Sequence, residues 1–207
     1  MVNARNASLR GMFQGNNGTN SGERGGANGA TSAVDELTQR IISEIRKLHG
    51  NQNCVDCGQQ DPTWMSVNLG VLICTECSGI HRQIGVNYSK VRSLELDQIG
   101  TANLLIARTM SNETFNEVYE AVDNLCEKPR PGPKEMEQRK SFIQKKYVLR
   151  SFIQRTSYGE KELGRDMEAA IRDHDMHALL QSFAEVKSTH KITHQNILIC
   201  RVLVRNT

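Results

Sequence analysis

Four cysteines, arranged as two pairs, are the residues of this chain best suited by type and spacing to do chemistry. Each pair has the pattern C-x-x-C, and sixteen residues separate the pairs: Cys54, Cys57, Cys74 and Cys77. A C-x-x-C turn presents two thiolates on one side of a metal ion, and two such turns complete a tetrahedral shell of sulfur ligands. Because four protein ligands close that shell, the spacing predicts a structural zinc ion and not a catalytic one.

The residues around the cysteines leave alternatives to this ligand set. His81 follows Cys77 by four residues and could replace a cysteine in the shell. Four unrelated buried thiols, or a redox-active pair, are the other interpretations, although neither explains why two pairs occur at metal-site spacing. Cys126 and Cys200 stand outside the pattern, and we interpret both as ordinary thiols.

An arginine lies close to the second cysteine pair. The sequence predicts a short helix from Thr75 to about Ile84. At ~100° per residue, Arg82 lies ~140° around that helix from Cys77. If Cys77 faces the metal, Arg82 points outward from a base that the metal holds in place. From the residues alone, Arg82 is either an ordinary surface arginine or a cation held out for an anionic substrate.

Hydrophobic periodicity predicts the elements that must position these side chains. The predicted helices cover about 34–49, 101–127 (as two stretches, 101–110 and 114–127) and 134–147, and the β-like stretches cover 63–67, 71–73 and 91–96. Asn68, Leu69 and Gly70 would form the turn of a hairpin. The sequence therefore predicts a mostly helical α+β fold, with a small three-stranded sheet and a four-cysteine zinc knuckle at about 54–97 flanked by helices.

Composition divides the chain into three regions. Residues 1–31 are rich in Gly, Asn and Ser with few large apolar side chains, which predicts disorder. A zinc domain is expected over 34–156, followed by a polar linker at about 156–164 and a helix pair at 165–186. The last region, 165–207, is expected to be a helical repeat that is only partial. The helix pair would begin the repeat, but the residues from Lys187 show little clear hydrophobic period.

The bulk composition sets broad limits on function. The chain has 207 residues, of which 38% are hydrophobic, and a formal net charge of +3. No apolar run approaches the ~18 residues of a membrane span, and no apolar signal segment follows the N-terminus. We therefore expect a cytoplasmic protein that gains stability from a bound metal. The weak positive charge alone does not favour nucleic-acid binding.

The stretch 128–155 carries much of the positive charge. It contains nine basic and two acidic residues, which gives a local net charge of about +7. Such a run is either an ordinary solvated helix face or a surface attracted to anionic lipid, at about 1 kcal/mol per charge. In the second case the charge could orient the domain on a membrane but could not anchor the chain by itself.

The motifs together resemble a known family. About residues 36–156 are similar to the Arf GTPase-activating protein (Arf-GAP) family. The similarity rests first on the motif C-x2-C-x16-C-x2-C-x4-R. It rests also on four further runs: Pro62-Thr63-Trp64, Asn68-Leu69-Gly70, Ser78-Gly79-Ile80-His81-Arg82 and Ser93-Leu94-Glu95-Leu96-Asp97. The flanking runs look most like the ASAP-type subfamily, in which BAR and PH domains precede the GAP domain and ankyrin repeats follow it. The segment 165–186 resembles the start of that region, so the resemblance implies a partial ankyrin-like helix pair.

The resemblance implies a function. The family residue that matches Arg82 is an arginine finger, which stabilises charge on the γ-phosphate in the transition state. The chain would then be a cytoplasmic GTPase activator that acts peripherally at membranes, and it would not hydrolyse GTP by itself. Its partner would be a GTP-bound Arf-family small G protein, which brings its own GTP and Mg²⁺. The resemblance also implies that Trp64, Asn68 and Asp97 bind this substrate. The simpler interpretations are a core position for Trp64 and a capping role for Asp97.

Two other functions fit the cysteine pattern less well. A zinc-ribbon nucleic-acid binder would carry basic residues around its second cysteine pair. Here Thr75-Glu76 lie inside that pair and Ser78-Gly79-Ile80 follow it, so we expect no nucleic-acid partner. A scaffold that binds G proteins without accelerating hydrolysis would have no need of Arg82.

Overall fold

The computed structural model describes residues 33–122, 127–156 and 159–186. The predictions of disorder over 1–31 and of a non-periodic tail from Lys187, and the interpretation of Cys126 and Cys200, fall outside these residues. Within the described ranges, no helix combines the length and the apolar character needed to cross a membrane.

A small antiparallel sheet lies at the centre of the cysteine-rich segment. Its strands are β1 (Trp64–Ser66), β2 (Val71–Ile73) and β3 (Val91–Ser93), with β1 between the other two. Gly70 ends the turn between β1 and β2 with φ 73°, a conformation that favours glycine. A Cβ at Gly70 would also lie 3.3 Å from the Cα of Ala107, so the turn packs closely against a helix.

Seven α-helices surround the sheet within the described residues. They are α1 (Ala33–Lys47), α2 (Thr75–Ile84), α3 (Thr101–Thr109), α4 (Asn112–Tyr119), α5 (Met136–Ile143), α6 (Glu160–Arg172) and α7 (Met176–Glu185). A 3₁₀ turn (Pro133–Glu135) precedes α5, and a π-helical turn (Gln144–Val148) follows it. The predicted fold class is confirmed: a mostly helical α+β fold with a three-stranded sheet and a four-cysteine cluster.

The sheet separates two hydrophobic cores. Val71 and Ile73 belong to the core that contains the four cysteines, whereas Leu72 belongs to a second core formed with α1 and α3. This alternation follows from the period of two along a β-strand. All three residues of β2 are buried, with alternate side chains in the two cores, so this three-residue strand contributes to both.

The two helical stretches predicted within 101–127, at 101–110 and 114–127, are present as α3 and α4. They are separate helices because Met110 is extended and the Ser111 side chain accepts the N–H of Thr114 to cap α4. The second helix ends at Tyr119, so the prediction is wrong for residues 120–122. There the N–H of Val122 donates to the carbonyl of Phe152 at 2.9 Å, and this tertiary bond replaces a helical one.

Two other boundaries differ for local reasons. The predicted strand at 91–96 ends at Ser93, because the N–H of Ser93 donates to the Asp97 carboxylate at 2.7 Å and closes a turn. The polar segment at 156–164 is partly helical, since α6 begins at Glu160. The predicted helix pair after this segment is present as α6 and α7, which contact each other along their lengths.

The helix pair packs on the preceding part of the chain through α7. Leu180 and Ala184 of α7 lie in the same core as Phe115 of α4. Arg150 donates to the carbonyl of Ala184 at 2.9 Å, and so binds one of the free carbonyls at the C-terminus of α7. The N–H of Thr156 donates to the Glu185 carboxylate at 3.0 Å, which adds a second polar connection.

Candidate metal centre and arginine surface

The four cysteine sulfurs form one buried cluster. The ligand atoms of Cys54, Cys57, Cys74 and Cys77 all lie within 4.8 Å of one another, and all four residues are free of disulfides. The first pair sits in a tight turn, in which the N–H of Gly58 donates to the carbonyl of Cys54 at 3.0 Å. Cys74 is the N-cap of α2, and its sulfur accepts the N–H of Cys77 at 3.5 Å.

The donor set and its geometry fit a tetrahedral metal ion. The sulfurs of Cys57 and Cys74 are 3.6 Å apart. Two thiolates bound to one zinc ion at the usual ~2.3 Å would be about 3.8 Å apart in a tetrahedron. Burial raises the pKa of the Cys54 thiol. Four buried sulfurs this close together suit a divalent metal ion, which would displace the thiol protons on binding.

His81 lies outside the sulfur cluster. It is fully buried, its Nε2 is 2.9 Å from the Asp56 carboxylate, and its Nδ1 is 2.8 Å from the hydroxyl of Ser89. Because both ring nitrogens have protein partners, the structure does not support His81 as a ligand. Its role is to connect α2 to the first cysteine turn and to the loop before β3.

A buried ion network that the sequence did not indicate lies behind the first cysteine turn. Lys146, in the π-helical turn, has no exposed surface and donates to Asp56 at 3.2 Å and to Glu120 at 2.7 Å. Burial acts to raise the pKa of Asp56, but Lys146 and His81 outweigh burial and hold it below its ordinary value. Tyr147 completes the network by donating its hydroxyl to Asp56 at 2.8 Å.

Asn112 is a second buried polar residue that the sequence analysis did not single out. Its side-chain oxygen accepts the N–H of Leu72 at 2.8 Å, and its side-chain nitrogen donates to the carbonyls of Asn53 and Leu72 at 2.7 and 2.9 Å. These bonds join the start of α4 to β2 and to the residue before Cys54. The position of the cysteine cluster therefore depends on contacts far apart in sequence.

The basic stretch 128–155 is not a uniform positive face. Arg139 and Lys146 are fully buried, and Lys128 pairs with Glu120 at 3.0 Å. Arg150 and Arg155 donate to carbonyls at the C-terminal end of α7. The four basic residues that remain are at least partly exposed: Arg130, Lys134, Lys140 and Lys145.

Arg82 is exposed on the side of α2 opposite Cys77, as the helical geometry predicts. Its guanidinium carbon lies 4.4 Å from the centroid of the Trp64 ring, which is half-buried. The indole Nε1 donates to the hydroxyl of Thr75 at 3.3 Å. A cation over an aromatic face is stabilised by the ring quadrupole, so Trp64 restricts where the guanidinium can go.

The other two predicted substrate-binding residues form hydrogen bonds with the protein backbone. The Asn68 side-chain oxygen accepts the N–H of Lys90 at 2.7 Å, and its nitrogen donates to the carbonyl of Tyr88 at 3.1 Å. The Asp97 carboxylate accepts the N–H of Ser93. The capping interpretation of Asp97 thus describes its observed contact, and Asn68 joins the β1–β2 turn to the loop before β3.

Comparisons with known proteins agree with one another. The ArfGap family model, described as GTPase activating protein for Arf, matches residues 39–156. The human Arf-GAP with coiled-coil, ANK repeat and PH domain-containing protein 2 is 42% identical over 121 residues, which are 58% of this chain and 15% of that protein. The Caenorhabditis elegans Arf-GAP with ANK repeat and PH domain-containing protein cnt-1 is 35% identical over 127 residues, 59% of this chain and 15% of that protein.

These relatives are much longer than this chain, which spans about a sixth of their length. The ANK repeat and PH domains in their names agree with the architecture of the subfamily that the sequence resembles.

Two solved structures are similar in fold. The ArfGap domain of HIV-1 Rev binding protein has a TM-score of 0.51 at 22% identity, and covers 58% of this chain and 90% of its own. The ArfGap domain of human RIP has a TM-score of 0.50 at 21% identity, and covers 65% and 98%.

Proposed function

This chain belongs to the ArfGap family, and on that premise we propose that it stimulates GTP hydrolysis on an Arf-family small G protein by inserting Arg82 in trans. The observation that carries the proposal is the position of Arg82: an exposed guanidinium, five residues from a buried cysteine ligand and held beside an aromatic ring. A cation placed in this way can enter a partner's active site without rearrangement of its own helix.

Phosphoryl transfer explains why one arginine would be sufficient. Charge spreads over the γ-phosphate oxygens in the transition state, and a guanidinium placed there accelerates hydrolysis by about 10³–10⁵-fold. The partner would supply GTP, Mg²⁺ and the attacking water. This chain would supply the cation and would not hydrolyse GTP by itself.

The metal in this proposal is one zinc ion held by Cys54, Cys57, Cys74 and Cys77. When bound, it would cross-link the first cysteine turn to the start of α2 and supply no reactive position, because the four thiolates close its shell. Cys77 and Arg82 lie on opposite sides of one helix. The ion would therefore fix the base of the finger while the finger itself stays free to reach the substrate.

The surface around Arg82 is suited to contact with a folded partner. Trp64 presents part of its ring beside the arginine, while Val86, just after α2, is 69% exposed and Leu96, just after β3, is 84% exposed. Exposed large apolar residues favour a protein interface, and these two follow the helix that carries Arg82 and the strand that pairs with Trp64. We assign Trp64 to direct contact with the substrate, and Asn68 and Asp97 to shaping the loops that border it.

The proposal includes the domain limits and the setting. Residues 34–156 are the GTPase-activating unit and 165–207 a partial ankyrin-like region. The chain acts in the cytoplasm on the GTP-bound partner and binds no nucleic acid. Contact with anionic membranes, if the partner is membrane-bound, would use the exposed remainder of the basic stretch: Arg130, Lys134, Lys140 and Lys145.

Single-turnover GTP hydrolysis on several Arf isoforms tests the function. Arg82→Lys keeps the charge but loses the planar fork that can bridge phosphate oxygens. We expect it to lower the activated rate by about 10³-fold, or roughly 4 kcal/mol of transition-state stabilisation, with binding to GTP-bound Arf little changed. Arg108→Lys, an exposed arginine of α3 that pairs with Glu44, serves as the matched control.

The results separate the alternatives. Binding to Arf without any acceleration by the wild-type chain would indicate a scaffold. Acceleration that survives in Arg82→Lys would show that another residue supplies the charge, and the finger assignment would be wrong.

A further inference from the structure

Arg139, on α5, is the largest fully buried side chain among the described residues. Its exposure is 0%, although an arginine side chain always carries a positive charge. Within the described ranges it forms no ion pair with a carboxylate. Burying a guanidinium without an anionic partner is strongly unfavourable, so the charge needs an explanation.

The contacts of Arg139 lead to the sulfur cluster. Its Nη1 donates to the sulfur of Cys77 at 3.1 Å, across sixty-two residues of sequence. Its Nη2 donates to the carbonyls of Arg130 and Gly132 at 3.0 and 2.6 Å. Its Nε is buried and has no hydrogen-bond partner among the described residues.

The carbonyl contacts alone do not account for a charged residue here, because a neutral amide side chain could donate the same bonds. The sulfur contact does account for it. Four thiolates around one divalent ion leave two negative charges in excess, and this excess is buried with the cysteines. A guanidinium beside Cys77 places a positive charge against that excess.

We propose that Arg139 is the charge partner of the metal centre: it holds the Cys77 thiolate by an N–H···S bond and slows the loss of the ion. The proposal rests on the metal site included in the proposed function. Arg139 is a positioning residue, since it acts through a ligand and touches neither GTP nor the partner. Its second amino group also connects the metal centre to the loop before α5.

Metal release from the whole 207-residue chain tests the proposal. The variants are Arg139→Gln, which removes the charge, Arg139→Lys, which keeps it without the fork, and Arg150→Lys as the matched control. Arg150 also donates to backbone carbonyls, but of α7 rather than beside the cysteines. The readouts are the rate of Zn²⁺ transfer to a chromogenic chelator and the thiolate-to-metal absorption of the Co²⁺-loaded protein.

Outer-shell partners of metal ligands typically contribute 10–100-fold to affinity. We expect Arg139→Gln to release Zn²⁺ about 10–100-fold faster than the wild type and to shift the Co²⁺ absorption, Arg139→Lys to show a smaller effect, and Arg150→Lys to match the wild type within about twofold. Loss of an N–H···S bond shifts the thiolate absorption directly, whereas a role confined to the carbonyls of the loop before α5 would leave it unchanged.

Three results would count against the proposal or its premise. Release and absorption of Arg139→Gln equal to those of the wild type would overturn the role of Arg139. If Arg139→Gln does not fold, Arg139→Lys decides: one ammonium cannot replace the two amino groups that bind Cys77 and the carbonyls, so wild-type release and absorption in that variant would overturn the N–H···S bond as the basis of the role. A wild-type chain that takes up neither ion would instead defeat the metal site itself.

Discussion

The guanidinium carbon of Arg82 lies 4.4 Å from the centroid of the Trp64 ring, so these two side chains form one surface between α2 and β1. The indole also donates to the hydroxyl of Thr75, the first residue of α2. The ring therefore contacts the helix near both of its ends. An arginine aligned in this way loses less freedom when it enters a partner's active site.

This contact predicts a catalytic effect of changing Trp64. Trp64→Ala should lower kcat/KM for the GTP hydrolysis that this chain stimulates on Arf by about tenfold, because it removes a cation–π contact of about 0.5–1 kcal/mol as well as surface that would meet the partner. Trp64→Phe keeps an aromatic face without the Nε1 donor, so its loss should be smaller. Wild-type activity in Trp64→Ala would show that the ring does not help Arg82.

The buried ion network predicts that two neighbouring lysines differ in their effect on stability. Lys146 has no exposed surface and is bound to Asp56 and Glu120, whereas Lys145 is exposed. Lys146→Met leaves the Asp56 charge buried without its main cationic partner, which should reduce the free energy of unfolding by about 3–5 kcal/mol. Lys145→Met should change it by less than about 0.5 kcal/mol.

Urea denaturation of the zinc-loaded chain measures both effects, with Lys145→Met as the control for loss of charge. Equal stability of the two variants would mean that water or a rearranged partner satisfies Asp56 when Lys146 is absent. The network would then have no special role in holding the first cysteine turn.

Local patterns in the sequence were sufficient to predict α2 and its two functional faces. The bounds of α2 agree with the predicted helix from Thr75 to Ile84. The helix begins directly after Cys74, which is both a metal-ligand candidate and its N-cap. The exposed position of Arg82 follows from the same ~100° periodicity. These features depend on residues within ten positions of one another, which is why one sequence reveals them.

The charged residues that the sequence misassigned depend on distant partners. Arg139 and Lys146 were counted as part of a basic surface, yet the side chains that they contact lie 62 and 90 residues away, at Cys77 and Asp56. No local pattern carries that information. The one local signal for a buried cation was Asp56, an acidic residue between Cys54 and Cys57. If the two cysteines are buried, Asp56 is buried with them and needs a cation beside it.

The last prediction concerns the connection between the helix pair and the zinc domain. Leu180 of α7 lies in the core that contains the cysteines, and Arg150 holds the end of that helix. Leu180→Ala should therefore reduce the stability of the whole unit by about 2–5 kcal/mol and leave a single cooperative transition. Leu149→Ala, at a leucine that is 65% exposed, is the matched control and should have little effect. Thermal unfolding followed by far-UV circular dichroism and by zinc release makes the test. If the helix pair were an independent module, Leu180→Ala would produce an early transition without zinc release, and the shared core would not be a single cooperative unit.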